Sequence, residues 1–192
     1  MKRILLRINS LLLIFFFCSC NTESEKKNLQ NNVGFNLQES DLPDYEKNID
    51  HEGLLTAWGD RQGESIRTGE HIYNNICFNC HGNPDQEGSM PNAFKFWKDE
   101  FKVGKDPYSI YQTLTRGYGS MPPQVNLTPV EKYDIINYLR EEFLKEDNPT
   151  QYNNLDSAYL ASLPSGTNTG PEAKEFKPWA EMDYGNFLIN TY

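Results

Sequence analysis

The chain has 192 residues, of which 38% are hydrophobic, and a formal net charge of −9 at pH 7. This length accommodates one small domain with extensions. The acidic balance excludes proteins that bind nucleic acid through a basic surface, and it excludes attachment to anionic lipid through basic clusters. It favours protein partners that present a basic patch.

Residues 1–19 have the pattern of a secretory signal peptide. Three basic residues precede the apolar run 11–17, which is far shorter than the ~20 residues that a membrane-spanning helix needs. Cleavage after residue 19 would remove three positive charges and no negative charge, so the formal charge of the remaining chain is −12.

Cys20 follows the apolar run, with the small residue Ser19 before it and polar sequence after it. This arrangement resembles a bacterial lipobox, although Phe17 and Cys18 stand where a leucine and a small residue are usual. The resemblance implies that Cys20 carries a lipid, and that the protein is anchored to a membrane in the periplasm or at the cell surface. A plain secretory signal that is cleaved nearby is the alternative.

Composition divides the rest of the chain into three parts. Residues 20–52 are rich in Asn, Glu, Lys, Ser and Gln, and they predict a flexible tether. Residues 53–146 carry the periodic apolar pattern of a small globular domain. Residues 147–192 predict an extended C-terminal strap with turns.

Three helices are predicted in the globular part, and no segment has a convincing strand pattern. In residues 64–77, apolar residues recur at intervals of three and four, as in an amphipathic helix. Residues 107–115 form a shorter helix that ends before the breaker Gly117. The third helix covers residues 128–144. Its start has an N-cap, a first-turn proline and a capping-box glutamate, which are Thr128, Pro129 and Glu131.

The segment Cys77-Phe78-Asn79-Cys80-His81 is the attachment signature of a c-type haem. On a helix, this spacing lets both thiols add to the vinyl groups of one porphyrin and directs the imidazole of His81 at the iron. A zinc site would need a second pair of ligands and a redox dithiol would need a βαβ context, and the sequence has neither. We therefore predict one covalently bound haem c.

Covalent haem attachment in bacteria takes place outside the cytoplasm, so the leader and the haem signature support each other. The other two cysteines of the chain, Cys18 and Cys20, lie in or next to the leader. No cysteine is then left for a structural disulfide.

The order of these features resembles the class I c-type cytochrome fold over roughly residues 61–145. The resemblance implies an all-α fold in which three main helices surround one haem. In that family a glycine and an aromatic residue on the first helix meet an aromatic residue on the last. Here Gly69, Tyr73 and Tyr138 stand at the matching places, and Gly69 would allow the helices to approach closely.

The resemblance also implies the sixth ligand of the iron. Met121 lies forty residues after His81, a separation similar to that in small class I cytochromes, in a loop stiffened by glycine and prolines. Met121 is therefore the predicted ligand, with His51 or His71 as alternatives. Met90 is too near His81 in the chain to reach the opposite side of the haem.

The family also places a proline after the CxxCH segment. The carbonyl of that proline accepts the ring proton of the proximal histidine, which orients the imidazole and raises its basicity. Pro91 is the residue that matches this place, better than Pro84.

The end of the chain, residues 178–188, is aromatic and apolar enough to require burial. It resembles the junction in large exported bacterial haem proteins, where a cytochrome domain runs into a further domain. The resemblance implies that the chain is the front part of a longer protein or that this segment docks onto a partner.

Together these features predict a membrane-tethered carrier of single electrons, with a donor dehydrogenase or an acceptor oxidase as redox partner. The alternative is a haem module that serves as the electron outlet of a larger exported dehydrogenase or similar enzyme. A haem sensor or peroxidase would need an open iron position and a distal acid or base. The presence of Met121 as a predicted ligand argues against this class of protein. A carrier is thus favoured over a catalyst.

Overall fold

The structure, a computed structural model, describes residues 34–172. Within this range the α-helices are α1 (His51–Thr56), α2 (Trp58–Ile72), α3 (Phe78–His81), α4 (Pro107–Arg116), α5 (Pro129–Leu139) and α6 (Ser157–Ala161). Short 3₁₀ segments lie at Glu39–Asp41, Asp44–Asn48 and Pro149–Gln151, and π-helical turns at Tyr73–Cys77 and Arg140–Leu144. The β-type pairings among the described residues are isolated bridges. The prediction of an all-α fold is confirmed.

The first predicted helix is longer than the pattern over 64–77 indicated. Helix α2 begins at Trp58 and bends at Arg61, whose φ of −126° departs from helical geometry. At Tyr73–Cys77 the helix widens into a π-turn, and it then continues as α3. The chain thus runs helically from α2 into the CxxCH segment, which fixes that segment relative to α2.

The other two predicted helices begin at the caps that the sequence supplies. At the start of α5 the hydroxyl of Thr128 accepts a hydrogen bond from the N–H of Glu131, and the Glu131 carboxylate accepts one from the N–H of Thr128, at 3.3 and 2.8 Å. At the start of α4 the carboxylate of Asp106 accepts a bond from the N–H of Ser109. Beyond its last α-helical residue, α5 passes into a π-turn.

Helices α2 and α5 touch backbone to backbone at Gly69. A β-carbon added there would lie 2.1 Å from the carbonyl oxygen of Asp134 and 2.8 Å from the β-carbon of Tyr138. One turn further along, the rings of Tyr73 and Tyr138 pack with centroids 5.4 Å apart. The glycine and the aromatic pair therefore make the helix contact that the family resemblance implies.

A buried carboxylate next to this contact ties the same two helices together. Asp134 of α5 accepts hydrogen bonds from Ser65 at 2.6 Å and from Arg61 at 3.0 Å, both on α2. Asn137 adds a bond to the Ser65 hydroxyl. Burial raises the pKa of Asp134, and the bonds from Ser65 and Arg61 oppose this shift. These hydrogen bonds thus fix the position of α5 along α2.

Two apolar clusters fill the interior, and α5 contributes to both. Cluster 1 comprises Ile49, Leu54, Leu55, Trp58, Ile110, Tyr111, Leu114, Tyr133, Ile136 and Leu163. Cluster 2 comprises Ile72, Tyr73, Phe96, Leu127, Ile135, Tyr138, Leu139, Phe143 and Leu144. Consecutive residues of α5, Ile135 and Ile136, enter different clusters, so this helix separates the two.

The N-terminal segment differs from the predicted tether. From residue 34 onwards it packs against the helices, and its 3₁₀ segment Asp44–Asn48 places Glu46 in a buried ion pair with Lys132 of α5, at 2.6 Å. The polar composition of this segment predicted a flexible tether. The ion pair was missed because it joins residues that are far apart in the chain and so has no local sequence signature. Residues 1–33, with the predicted signal peptide and Cys20, lie outside the described residues.

Residues 164–168 of the C-terminal segment run beside residues 48–51 of the N-terminal segment. The N–H of Asp50 donates to the carbonyl of Asn168 at 2.8 Å, and that of His51 donates to Pro164 at 3.1 Å. Helix α6 lies earlier in the C-terminal segment. The aromatic end of the chain, residues 178–188, lies outside the described residues.

The contact at Gly69 predicts a large effect of one methyl group. We expect Gly69→Ala to lower the free energy of unfolding by about 2–3 kcal/mol, because the new methyl group would collide with the backbone of α5. Chemical denaturation followed by circular dichroism measures the change.

Gly63→Ala, on the same helix, is the matched control. Its β-carbon would meet only the end of the Arg67 side chain, at 3.6 Å, so the variant should be as stable as the wild type or more stable by up to about 1 kcal/mol. Equal stability of the two variants would show that the helices do not depend on this close approach.

Candidate haem site

The three residues of the haem signature lie where the π-turn passes into α3. Cys77 is the last residue of the π-turn, and Cys80 and His81 follow at positions i+3 and i+4. Residues with this spacing occupy one face of a helix. His81 is buried and both thiols are half-buried. The signature therefore presents its two sulfur atoms and its imidazole together.

Both Cys77 and His81 are held neutral by their surroundings. Burial raises the pKa of the Cys77 thiol to about 12, with a smaller contribution from the charge of Cys80. Burial also lowers the pKa of His81, against the effect of its hydrogen bond to a backbone carbonyl. A neutral imidazole has the free lone pair that an iron ligand requires.

The backbone carbonyl that orients His81 belongs to Phe94. The Nδ1 atom of His81 donates to this oxygen at 2.8 Å, which leaves Nε2 as the nitrogen that can bind a metal. The predicted acceptor, the carbonyl of Pro91, is therefore wrong by three residues. Every residue has a carbonyl oxygen, so the path of the loop selects the acceptor and no side-chain motif marks it.

The loop after His81 is held by contacts that the sequence analysis missed. The hydroxyl of Tyr73 donates to the carbonyl of Gly82 at 2.6 Å, and the ammonium of Lys95, itself buried, donates to the carbonyl of His81 at 3.1 Å. Gly88 passes so close that a β-carbon there would lie 2.1 Å from the carbonyl oxygen of Cys80. These contacts fix the backbone that carries the proximal side of the site.

Aromatic rings pack against the imidazole of His81 and against one another. The ring of Phe96 lies 5.1 Å from that of His81, centroid to centroid, and the ring of Phe94 lies 5.2 Å from that of Phe96. Phe101 stacks on Phe94 at 4.5 Å. Since Phe96 belongs to cluster 2, His81 is packed against that half of the interior.

Met121 lies in a tight turn of its own. The backbones of Tyr118 and Met121 exchange two hydrogen bonds, of 3.0 and 2.9 Å, and Gly119 inside the turn has a φ of +56°. The side chain of Met121 packs against cluster 1, whereas His81 packs against cluster 2. Phe101 packs against both clusters. The two predicted iron ligands are therefore packed against different halves of the interior.

The other residues considered for the sixth position lie in different surroundings. His51 is buried in cluster 1, where its Nδ1 is bonded to the hydroxyl of Tyr133 at 2.9 Å, and burial lowers its pKa to about 4. His71 is on α2, with the amide of Asn75 bonded to its carbonyl. Met90 is exposed.

The residues present fit a covalently bound haem. Cys77 and Cys80 would form the thioether bonds and Nε2 of His81 would bind the iron. Large apolar side chains that are about half-exposed flank these positions in the chain: Ile76 precedes Cys77, and Tyr118 and Val125 lie on either side of Met121. In the described part of the chain no group of three or more His, Cys, Asp or Glu side chains is arranged to hold a metal ion directly.

Part of the chain matches a known protein family. Residues 64–139 match the model of the family described as cytochrome C oxidase, cbb3-type, subunit III. The matched range includes the CxxCH segment, the Met121 turn and all of α5. No curated protein and no solved structure matches the chain significantly. The chain therefore contains a c-type cytochrome domain whose cofactor is covalently bound haem c and which exchanges electrons with redox partners.

The number of haem groups and their points of attachment are open to direct measurement. Intact mass spectrometry of protein made with a haem-attachment system should show the mass of one haem added to the wild type. We expect Cys77→Ser and Cys80→Ser each to lose one thioether bond, which shifts the absorption of the pyridine haem adduct to longer wavelength, and the double variant to carry no covalent haem.

Asn79→Ser is the control for these variants, because Asn79 lies between the two cysteines and its side chain is exposed. It should retain one haem with two thioether bonds. Covalent haem on the double variant would place the attachment at other residues.

Proposed function

We propose that the chain is an exported, lipid-anchored carrier of single electrons in which His81 and Met121 are the two axial ligands of one haem. The observation that carries this proposal is the placement of the two side chains. His81 is fixed against cluster 2 and Met121 is held in a hydrogen-bonded turn against cluster 1, so each is positioned before an iron is bound.

On the proximal side, the bond from His81 Nδ1 to the Phe94 carbonyl fixes both the tautomer and the plane of the ring. The buried Lys95, bonded to the His81 carbonyl, holds the backbone at the same point. The imidazole is therefore held in one orientation, with Nε2 left as the nitrogen that can act as a ligand. When bound, the haem supplies a one-electron change between ferric and ferrous iron.

On the distal side, Met121 would contribute a soft, uncharged sulfur atom. Methionine paired with histidine gives a higher reduction potential than two nitrogen ligands give. The turn of Tyr118–Met121 limits how far the sulfur can move, and Pro122 and Pro123 stiffen the chain after it. A filled sixth position keeps oxygen and peroxide from the iron, which favours a carrier over a sensor or peroxidase.

The charge of the chain supports a basic redox partner. Residues 20–192 carry a formal charge of −12, and such an acidic surface steers encounters with a positively charged patch. A donor dehydrogenase and an acceptor oxidase are both partners of the expected kind. The name of the matching family refers to an oxidase subunit, which makes an oxidase the first partner to try.

The leader supports a location in the periplasm or at the cell surface, with Cys20 as the point of attachment to a membrane. The basic start, the short apolar run and the cysteine after it are the basis for this part of the proposal. Among the described helices, none is long and apolar enough to cross a membrane.

The ligand assignment leads to a prediction for Met121→Ala. The wild type should show the weak near-infrared sulfur-to-iron charge-transfer band when oxidised, and its ferrous form should not bind carbon monoxide. The variant should lose the band, bind carbon monoxide stoichiometrically and have a lower reduction potential, because its sixth position is open to water and small ligands.

Met90→Ala is the control, since Met90 is exposed and lies only nine residues after His81. It should behave as the wild type in all three measurements. If wild type and Met121→Ala bind carbon monoxide equally well, Met121 is not the ligand and the carrier function loses its support.

The anchor is tested by metabolic labelling with a fatty-acid analogue. The wild type should be labelled and should fractionate with membranes, whereas Cys20→Ala should lose the label because it lacks the acceptor thiol. Cys18→Ala, two residues away, should remain labelled. Labelling of Cys20→Ala at the wild-type level would place the anchor elsewhere.

A further inference from the structure

The Met121 turn is bound along one side by the segment of residues 34–37, which we call the brace. The N–H of Phe35 donates to the carbonyl of Gly119 at 2.7 Å, and the N–H of Leu37 donates to the carbonyl of Arg116 at 2.9 Å. The guanidinium of Arg116 returns a bond to the carbonyl of Leu37 at 3.3 Å. The brace thus pairs with both ends of the short stretch that leads into Met121.

The brace and the turn are also in direct steric contact. A β-carbon at Gly117 would lie 2.6 Å from the β-carbon of Phe35 and 2.8 Å from the carbonyl oxygen of Met121. Gly117 has a φ of +79°, so glycine is favoured here for its backbone conformation as well as for its lack of a side chain. The brace, Gly117 and Met121 therefore pack without space between them.

A second attachment holds the brace in place further along the chain. Glu46 bonds to the ammonium of Lys132 at 2.6 Å and accepts a bond from the hydroxyl of Tyr111 at 2.6 Å, and Lys132 also donates to the hydroxyl of Thr115. The side chains of Glu46 and Lys132 are each 2% exposed. This ion pair connects the N-terminal segment to α4 and α5, the two helices on either side of the Met121 turn.

We infer that the brace positions Met121 as a ligand, so that the segment leading from the N-terminus to the domain sets how readily the sixth iron position opens. This inference rests on the proposed ligation by Met121. Phe35 and Leu37 are positioning residues in it, because they act on Met121 through backbone bonds to Gly119 and Arg116.

The brace acts by opposing the opening of the Met121 turn. The Met121 turn is closed by only two backbone bonds of its own, and Gly119 in it has no neighbouring atom within 4 Å of where a β-carbon would stand. Opening the turn requires the brace bond to Gly119 to break as well, and the brace bond to Arg116 holds the chain where it enters the turn. Each such bond changes an equilibrium severalfold, so the pair should suppress opening by about tenfold or more.

The test uses the full-length haem protein with Phe35→Pro and Leu37→Pro, singly and together. Proline removes the donor N–H and suits an extended backbone. The double variant should bind carbon monoxide in its ferrous form at least about tenfold faster than the wild type, weaken the sulfur-to-iron band and lower the reduction potential. Each single variant should give a smaller change in the same direction.

Asn36→Pro is the matched control, because the N–H of Asn36 is not among the donors to the turn. It should leave the band, the potential and carbon monoxide binding as in the wild type. Chemical denaturation of all variants separates positioning from general stability, since a merely structural brace would lower stability without changing the iron spectrum. Phe35→Pro alone, at a half-exposed residue, keeps the test valid if the double variant does not fold.

Two outcomes would overturn the inference, and they are distinct from failure of the proposed ligation. If the double variant keeps the wild-type spectrum while Met121→Ala loses it, Met121 is the ligand but the brace does not position it. The same conclusion follows if Asn36→Pro has the effect of the double variant. If Met121→Ala itself leaves the spectrum unchanged, the ligand assignment fails first.

Discussion

The close approach of α2 and α5 at Gly69 is the constraint on which the rest of the domain depends. Helix α2 continues through its π-turn into the haem signature, and α5 begins just after the Met121 turn. The relative position of these two helices therefore sets the relative position of the two sides of the site. The buried carboxylate of Asp134, bonded to Ser65 and Arg61, fixes the crossing from its polar side.

The two sides of the site are built in different ways. The proximal side is local in sequence: the cysteines, His81 and the carbonyl of Phe94 come from within twenty residues. The proposed distal side combines the Met121 turn with the brace and with Glu46, which lies 86 residues from its partner Lys132. A local site can form early in folding, whereas the distal side requires the tertiary structure to be complete.

The sequence predicted those features that have local signals. The haem signature, the capping box at Thr128 and the breaker Gly117 after α4 depend on residues a few positions apart, and the structure places the helices accordingly. Gly69 was identified through its family resemblance. The missed features are long-range or lack side-chain signals: the ion pair of Glu46, and the Phe94 carbonyl where Pro91 was expected.

Salt will act differently on the two kinds of charge in this protein. The net negative charge would attract the proposed basic partner through solvent, where about 0.15 M salt screens charges over roughly 8 Å. The pair of Glu46 and Lys132 is buried, so mobile ions cannot come between the two charges. A rise in ionic strength should therefore slow the encounter with the proposed basic partner and leave Glu46 and Lys132 paired. The medium can then change the rate at which electrons are delivered without changing the surroundings of the iron.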